Sequence, residues 1–235
     1  MTIKAKIWQV AEDVEGMFAS YKQATKDGKE IVKNNYEEVW TGEKEAKDAR
    51  YLLDQLFEET NIGGLDWFRG RSMSVSDVVE IINEDGSADA YYCDTFGWQQ
   101  LEAFEFAQEP LDAPSHRAVV VEPWRPAKEA YIEDGLRPLQ RAVGGWIECT
   151  YPFEDNAFVV GNEEAKLIGL EGNRRINGGI YAGILLIMAD DLQGGTTDLT
   201  DEQVAHYLEA FKTPEAISRK ETMDDVGFRF IAFKP

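Results

Sequence analysis

Ser76-Asp77-Val78-Val79-Glu80-Ile81-Ile82-Asn83, then Glu84-Asp85-Gly86-Ser87, then Ala88-Asp89-Ala90-Tyr91-Tyr92-Cys93-Asp94, is the stretch whose reading decides the fold. Two runs rich in β-branched and aromatic residues flank an Asp-Gly pair, the strongest short-range signal for a tight turn between antiparallel strands. Strands joined directly, with no crossover helix between them, argue for an α+β fold and against a doubly wound parallel sheet. The expectation is therefore two small α+β domains, mainly antiparallel strands with a few packed helices.

The hairpin lies inside a longer anomaly. From Ser72 to His116 no Lys or Arg occurs, while ten carboxylates do: Asp77, Glu80, Glu84, Asp85, Asp89, Asp94, Glu102, Glu105, Glu109 and Asp112. Tyr91, Tyr92, Phe96, Trp98, Phe104 and Phe106 are interleaved with them. An acidic segment without aromatics is a solvated tail. One with this many aromatics has core to bury and can hold its charges in fixed positions.

Working outward, Ile3 to Val10 alternates like a strand and Glu12 to Ala24 is helix-prone. Between Glu43 and Glu59, Ala46, Leu53, Leu56 and Phe57 recur at helical spacing, and Asn61-Ile62-Gly63-Gly64 stops the pattern. Trp98 to Gln108 reads as a helix that places Glu102, Glu105 and Glu109 on one face. The stretch from Glu109 to Ser115 carries Pro110 and Pro114 and marks a boundary, giving domains 1–112 and 117–235. Beyond it come strands at Arg117 to Val121, Trp146 to Tyr151, Ala157 to Val160 and Tyr181 to Met188, and a helix from Asp134 to Val143 ending at Gly144-Gly145. Thr200 with Gln203 forms a capping box before Val204 and Tyr207. Gly227 to Phe233 alternates as a closing strand.

Of 235 residues, 43% are hydrophobic, enough for a core, and the formal charge is −20. Residues 1–112 carry a net −13 and residues 113–235 a net −7, so the acidity is concentrated in the first half. Such a surface repels nucleic acid and attracts proteins that bind it. Cys93 and Cys149 are the two cysteines, in apolar surroundings that read as buried free thiols of a reducing compartment. No apolar run has the length of a membrane span, and the expected location is the cytoplasm.

Catalytic chemistry has little to draw on. His116 and His206 are the two histidines, and adjacent Ser115 and His116 do not face each other in regular structure. No phosphate loop or dinucleotide fingerprint occurs. Asp190, Asp191, Asp198 and Asp201 lack the alternation of a calcium loop. No catalytic residue, metal ligand or cofactor is assigned. Arg69 and Arg71 read as neutralising neighbouring acids. Gly144, Gly145, Asn173, Arg174 and Arg175 could form loops that hold an anionic ligand of nucleotide type.

Gly70-Arg71-Ser72-Met73-Ser74-Val75-Ser76-Asp77-Val78-Val79, with Tyr91-Tyr92-Cys93-Asp94 and Gly97-Trp98, resembles the YodL-like domain. Residues Leu139-Gln140, Val143-Gly144-Gly145, Asn162-Glu163, Lys166-Leu167, Asn173-Arg174 and Gly179-Ile180 resemble an uncharacterised domain that accompanies it. The resemblance implies an accessory protein of phages or conjugative elements, in regions rich in genes that counter host defence, and it implies no active site. The resulting expectation is a non-enzymatic anti-defence inhibitor. Its acidic, nucleic-acid-mimicking surface of Glu84, Asp85, Glu102, Glu105, Glu109 and Asp112 would bind a host nucleic-acid-binding defence protein, such as a restriction or CRISPR nuclease. It would contact neither nucleic acid nor membrane directly. The alternative is a small-ligand binding or sequestering module.

Overall fold

A computed structural model describes residues 1–63, 65 and 67–225. In chain order these form β1 (Thr2–Val10), a short α1 (Tyr21–Ala24), β2 (Tyr36–Glu45), α2 (Ala49–Ile62), β3 (Val78–Ile82), β4 (Ala88–Asp94) and β5 (Gly97–Gln100). Next come β6 (Ser115–Val121), β7 (Lys128–Glu133), α3 (Leu136–Val143), β8 (Ile147–Thr150) and β9 (Ala157–Asn162). The described chain closes with β10 (Gly172–Ile176), β11 (Gly179–Ala182), β12 (Leu185–Asp190), β13 (Thr196–Thr197), α4 (Asp201–Ala210) and α5 (Arg219–Asp224). The architecture is α+β and its strand pairs are antiparallel.

The first half builds one five-stranded sheet in the order β2-β1-β3-β4-β5, and the second a sheet in the order β7-β6-β12-β9-β8 with β13 on β12. Strands β10 and β11 form a separate ribbon. The β3–β4 hairpin is present with the expected register, Val78 opposite Tyr92 and Ile82 opposite Ala88. Gly86 supplies the positive φ of its turn, +82°.

Strand periodicity then sorts the side chains into layers. Trp8, Val10, Tyr36, Val78 and Tyr92 of the first sheet pack against Val120, Ile132, Phe158, Leu186 and Met188 of the second, in one shared core. Alternate residues face away: Ile7, Val79 and Ile81 meet Leu52, Leu53 and Leu56 of α2. On the far side, Val119, Val159 and Ile187 meet Val204 and Tyr207 of α4. Both sheets are thus covered on both faces, in the order α2, sheet, sheet, α4. Burying one leucine of α2 stabilises by about 1.5–3 kcal/mol. The two halves each own a sheet, and the core between them belongs to both.

Several expectations are corrected. The helix-prone stretch from Glu12 yields only Tyr21–Ala24, because Gly16 (φ +120°) and Phe18 (φ +63°) break it. Residues Glu43 to Glu45 end β2, and α2 starts later, where Asp48 caps it by accepting from the Tyr51 N–H at 2.8 Å. Trp98 to Gln108 is not a helix: β5 ends at Gln100 and the chain runs on without regular structure to Pro114. The single strand expected over Tyr181–Met188 is two, β11 and β12, divided at Gly183 (φ +71°). Asn173 to Arg175 lie on β10 instead of in a loop. Cys93 is buried as expected, but Cys149 is exposed, and both are free thiols. The strand expected at Gly227 to Phe233 lies outside the described residues. Helix α3 ends at left-handed Gly144, and α4 carries the Thr200–Gln203 capping box, both as the residues indicate.

Candidate functional site

The acid-only stretch divides between the inside and the outside of the molecule. Asp77 and Glu80 are buried, Glu105 is half-buried, and Glu84, Asp85, Glu102, Glu109 and Asp112 are exposed. Asp77 is held locally by Arg71, by the Ser74 N–H at 2.9 Å and by Gln9 at 3.1 Å. Arg71 therefore does neutralise a neighbouring acid, and Arg69 donates to the Ile168 carbonyl.

Glu80 and Glu105 enter a buried ion cluster on the seam between the two sheets. Lys33, in the turn before β2, places Nζ 2.7 and 3.0 Å from the two oxygens of Glu122 and 3.0 Å from Glu80. Lys6 of β1 lies 3.0 Å from Glu38 of β2 and 3.3 Å from Glu122. The Arg125 guanidinium reaches Glu80 at 2.8 Å, Glu122 at 3.0 Å and Glu105 at 2.5 Å. Lys128 closes the outer end on Glu105 at 2.5 Å. The Trp8 indole N–H donates to Glu80 at 3.2 Å, and Lys33 Nζ stands 4.8 Å above the same ring. Four carboxylates thus meet four cations, drawn from both halves of the chain.

Burial alone pushes Glu122 up, but Lys33, Lys6 and Arg125 overcome it and hold the carboxyl well below its ordinary value. Glu105 is likewise lowered, Lys33 and Arg125 outweighing its burial. Lys6 is raised because Glu38, Glu122 and Glu80 outweigh its desolvation. Glu38 behaves differently. Its burial exceeds the attraction of Lys6, whose Nζ lies 3.0 Å from Oε2, and its carboxyl is raised. Charges this deep are held by reciprocal pairing, and removing one partner costs about 3–5 kcal/mol.

The six acids expected to bind a partner are therefore not one row. Glu102, Glu105 and Glu109 share no helix face, and Glu105 points into the seam. Phe104 and Phe106 pin this segment, packing edge-on against Trp8 at 5.7 and 6.4 Å. Glu84 and Asp85 sit at the tip of the β3–β4 hairpin. The five exposed acids form no ion pair with any described residue, whereas the buried ones do.

The residues expected to hold an anionic ligand do not converge. Asn173 is fully buried and donates to the carbonyls of Val121 and Gly183, each at 2.7 Å. The buried Arg174 guanidinium is spent on the backbone carbonyls of Asn173, Arg125 and Phe211 at 3.0, 2.8 and 3.0 Å. With only Glu215 opposing its desolvation, it is lowered to about 10. Arg175 is exposed but tied to Glu215 at 2.8 Å and Glu221 at 2.7 Å. Gly144 and Gly145 line a different cleft beside Arg137 and Arg141. His116 stands 3.6 Å from Asp198, while the Ser115 hydroxyl accepts from the Leu111 N–H. Among the described residues no group of three His, Cys, Asp or Glu side chains is placed to hold a metal ion. No described helix is long and apolar enough to cross a membrane.

Sequence reasoning missed Lys6, Lys33, Glu38, Glu122 and Arg125, whose partners lie up to 116 residues away in the chain. The signal open to it was Lys6 inside an apolar strand pattern.

Comparison with known proteins agrees with this division into halves. The YodL-like domain matches residues 4–104, and a domain of unknown function, DUF3846, matches residues 116–212. No curated protein and no solved structure matches the chain. The chain carries a YodL-like domain followed by a DUF3846 domain, the pair joined by the segment that leads from β5 into β6.

Proposed function

We propose that this chain is a non-enzymatic anti-defence protein of a phage or other mobile element. It binds a host nucleic-acid-binding defence protein, a restriction or CRISPR nuclease of the cytoplasm, by occupying its basic channel. The observation that carries the reading is the set of exposed carboxylates at Glu84, Asp85, Glu102, Glu109 and Asp112, none paired with a described cation. Unpaired charge of one sign, on a chain of net −20, repels nucleic acid and steers a basic protein surface towards it. Glu105 is withdrawn from the contact set because the seam consumes it. The nucleotide-type reading gains no support from the geometry, since Asn173 and Arg174 are committed to backbone carbonyls.

The test is inhibition of DNA cleavage by a panel of restriction and CRISPR nucleases. Inhibition of at least one, weakening steeply as salt rises, is expected. Lysine at all five exposed positions should abolish it. Inhibition that survives this reversal, or its absence across the panel, would overturn the reading.

A further inference from the structure

The turn that feeds the buried seam also projects a side chain the other way. Glu122 and Arg125 point inward, and the Arg125 N–H closes the turn on the Glu122 carbonyl at 3.4 Å. Pro123 holds the second position and Trp124 the third, with φ +67°. Glycine is favoured there, because a side chain at positive φ crowds its own backbone. Placing an indole in that conformation strains the backbone.

Trp124 borders two adjoining cavities, of about 710 and 780 Å³, which also share Lys4, Glu43 and Ala216. Trp40 and Trp67 line the first, where Lys4, Lys44 and Arg219 balance Glu43, Glu171 and Glu221. The second is acidic: Glu43, Glu84, Asp85, Asp89 and Glu215 face it, with Lys4 its one Lys or Arg side chain among the described residues, beside Met1. Together they make a groove with aromatic walls at one end and, at the other, Glu84, Asp85 and Asp89, which form no ion pair with any described residue.

Two of its rings already carry a cation. Lys44 Nζ lies 3.8 Å from the Trp67 ring centre and is anchored by Glu59 at 2.6 Å. Lys4 Nζ lies 5.0 Å from the Trp124 ring centre but is loosely held: its side chain is 43% exposed and its nearest carboxylate, Glu43, is 4.0 Å away. A guanidinium is flatter and less strongly hydrated than an ammonium and stacks better on indole.

We propose that this groove binds an extended, arginine-rich segment of a basic protein. One guanidinium stacks on Trp124 in place of Lys4, and neighbouring ones meet Glu84, Asp85 and Asp89. The proposal rests on the acidic-surface reading above and names where that surface grips its partner.

The experiment is fluorescence anisotropy of a labelled oligo-arginine peptide titrated with the full chain at low salt. Wild type is expected to bind. Trp124→Gly leaves every charge in place and relieves the positive φ, so the variant should fold, as thermal unfolding will show. It should bind at least about ten-fold more weakly, a loss of about 1.4 kcal/mol. Glu84→Gln with Asp85→Asn and Asp89→Asn, a second route to the same site, should weaken binding as much. Lys4→Met, which removes the competing ammonium, should tighten binding more than Lys22→Met, an equal charge change at an exposed lysine. Folded Trp124→Gly binding like wild type, or Lys4→Met matching Lys22→Met, overturns the groove while leaving the acidic surface intact. No peptide binding by wild type overturns both.

Discussion

Glu80 and Glu105 come from the same cation-free stretch as Glu84, Asp85, Glu102, Glu109 and Asp112, yet the two groups have opposite surroundings. The first two meet Lys33, Arg125 and Lys128 within 3.0 Å, on the seam between the sheets. The other five are exposed and meet no described cation. Identical chemistry thus meets two environments, and burial separates them. Inside, a carboxylate is worth what its partners return for its lost hydration, so removing one member is expensive. Outside, water screens each charge, folding barely registers it, and it remains available to a partner.

The largest expected effect of breaking this contrast is at Glu122, which three cations share. Glu122→Gln leaves Lys6, Lys33 and Arg125 short of a charge and should destabilise by about 3–5 kcal/mol in urea unfolding. The loss should depend on pH. Glu122 and Glu105 are lowered in the fold, so they stabilise above the ordinary carboxyl value of 4.5, and this is lost as pH falls through their folded values. The variant should therefore converge on wild type in acid, and a constant gap down to pH 2 would contradict the assignment. Next comes Glu105→Gln, at the half-buried outer end, with an expected loss of about 1–2 kcal/mol by the same measurement.

Glu38→Gln should cost least of the seam variants, under about 1 kcal/mol. Its carboxyl is raised, so its sign is reversed: what it contributes is present at low pH and lost as pH rises through the raised value. Relative to wild type, the variant should fare better at pH 7 than at pH 4. A loss at Glu38 equal to that at Glu122 would show that the cluster shares its charges evenly. Smallest of all is lysine at the five exposed positions, expected to leave the urea midpoint unchanged or slightly raised as net charge falls.

Much of the fold was legible because local rules agreed. The Asp85-Gly86 turn, the Thr200–Gln203 box and the Gly144 stop each carry their own stereochemistry. The helix expected over Trp98–Gln108 shows how spacing misleads. Leu101 and Phe104 are three apart, as on a helix face, but Phe104 and Phe106 are both buried with Glu105 between them, the period of extended chain. Strand β2 was hidden because Glu37, Glu38, Glu43 and Glu45 break its apolar alternation, and the Glu38 carboxylate turns inward to Lys6. Of the ion cluster, only Lys6 within an apolar strand pattern gave any sign. Lys33 and Glu122 are 89 residues apart, and only packing of one sheet on the other brings them together. The carboxylates were visible as a group, and of the six expected at the surface only Glu105 is drawn into the seam.

The central claim is that inward carboxylates fasten the two halves into one unit and outward ones do not. Equilibrium urea unfolding of the full chain, followed by tryptophan fluorescence and far-ultraviolet circular dichroism, tests it directly. Wild type should show one coincident transition by both probes, shifted strongly down by Glu122→Gln and not by the five-lysine variant. Two separate transitions in wild type, or a five-lysine shift as large as that of Glu122→Gln, would contradict the account.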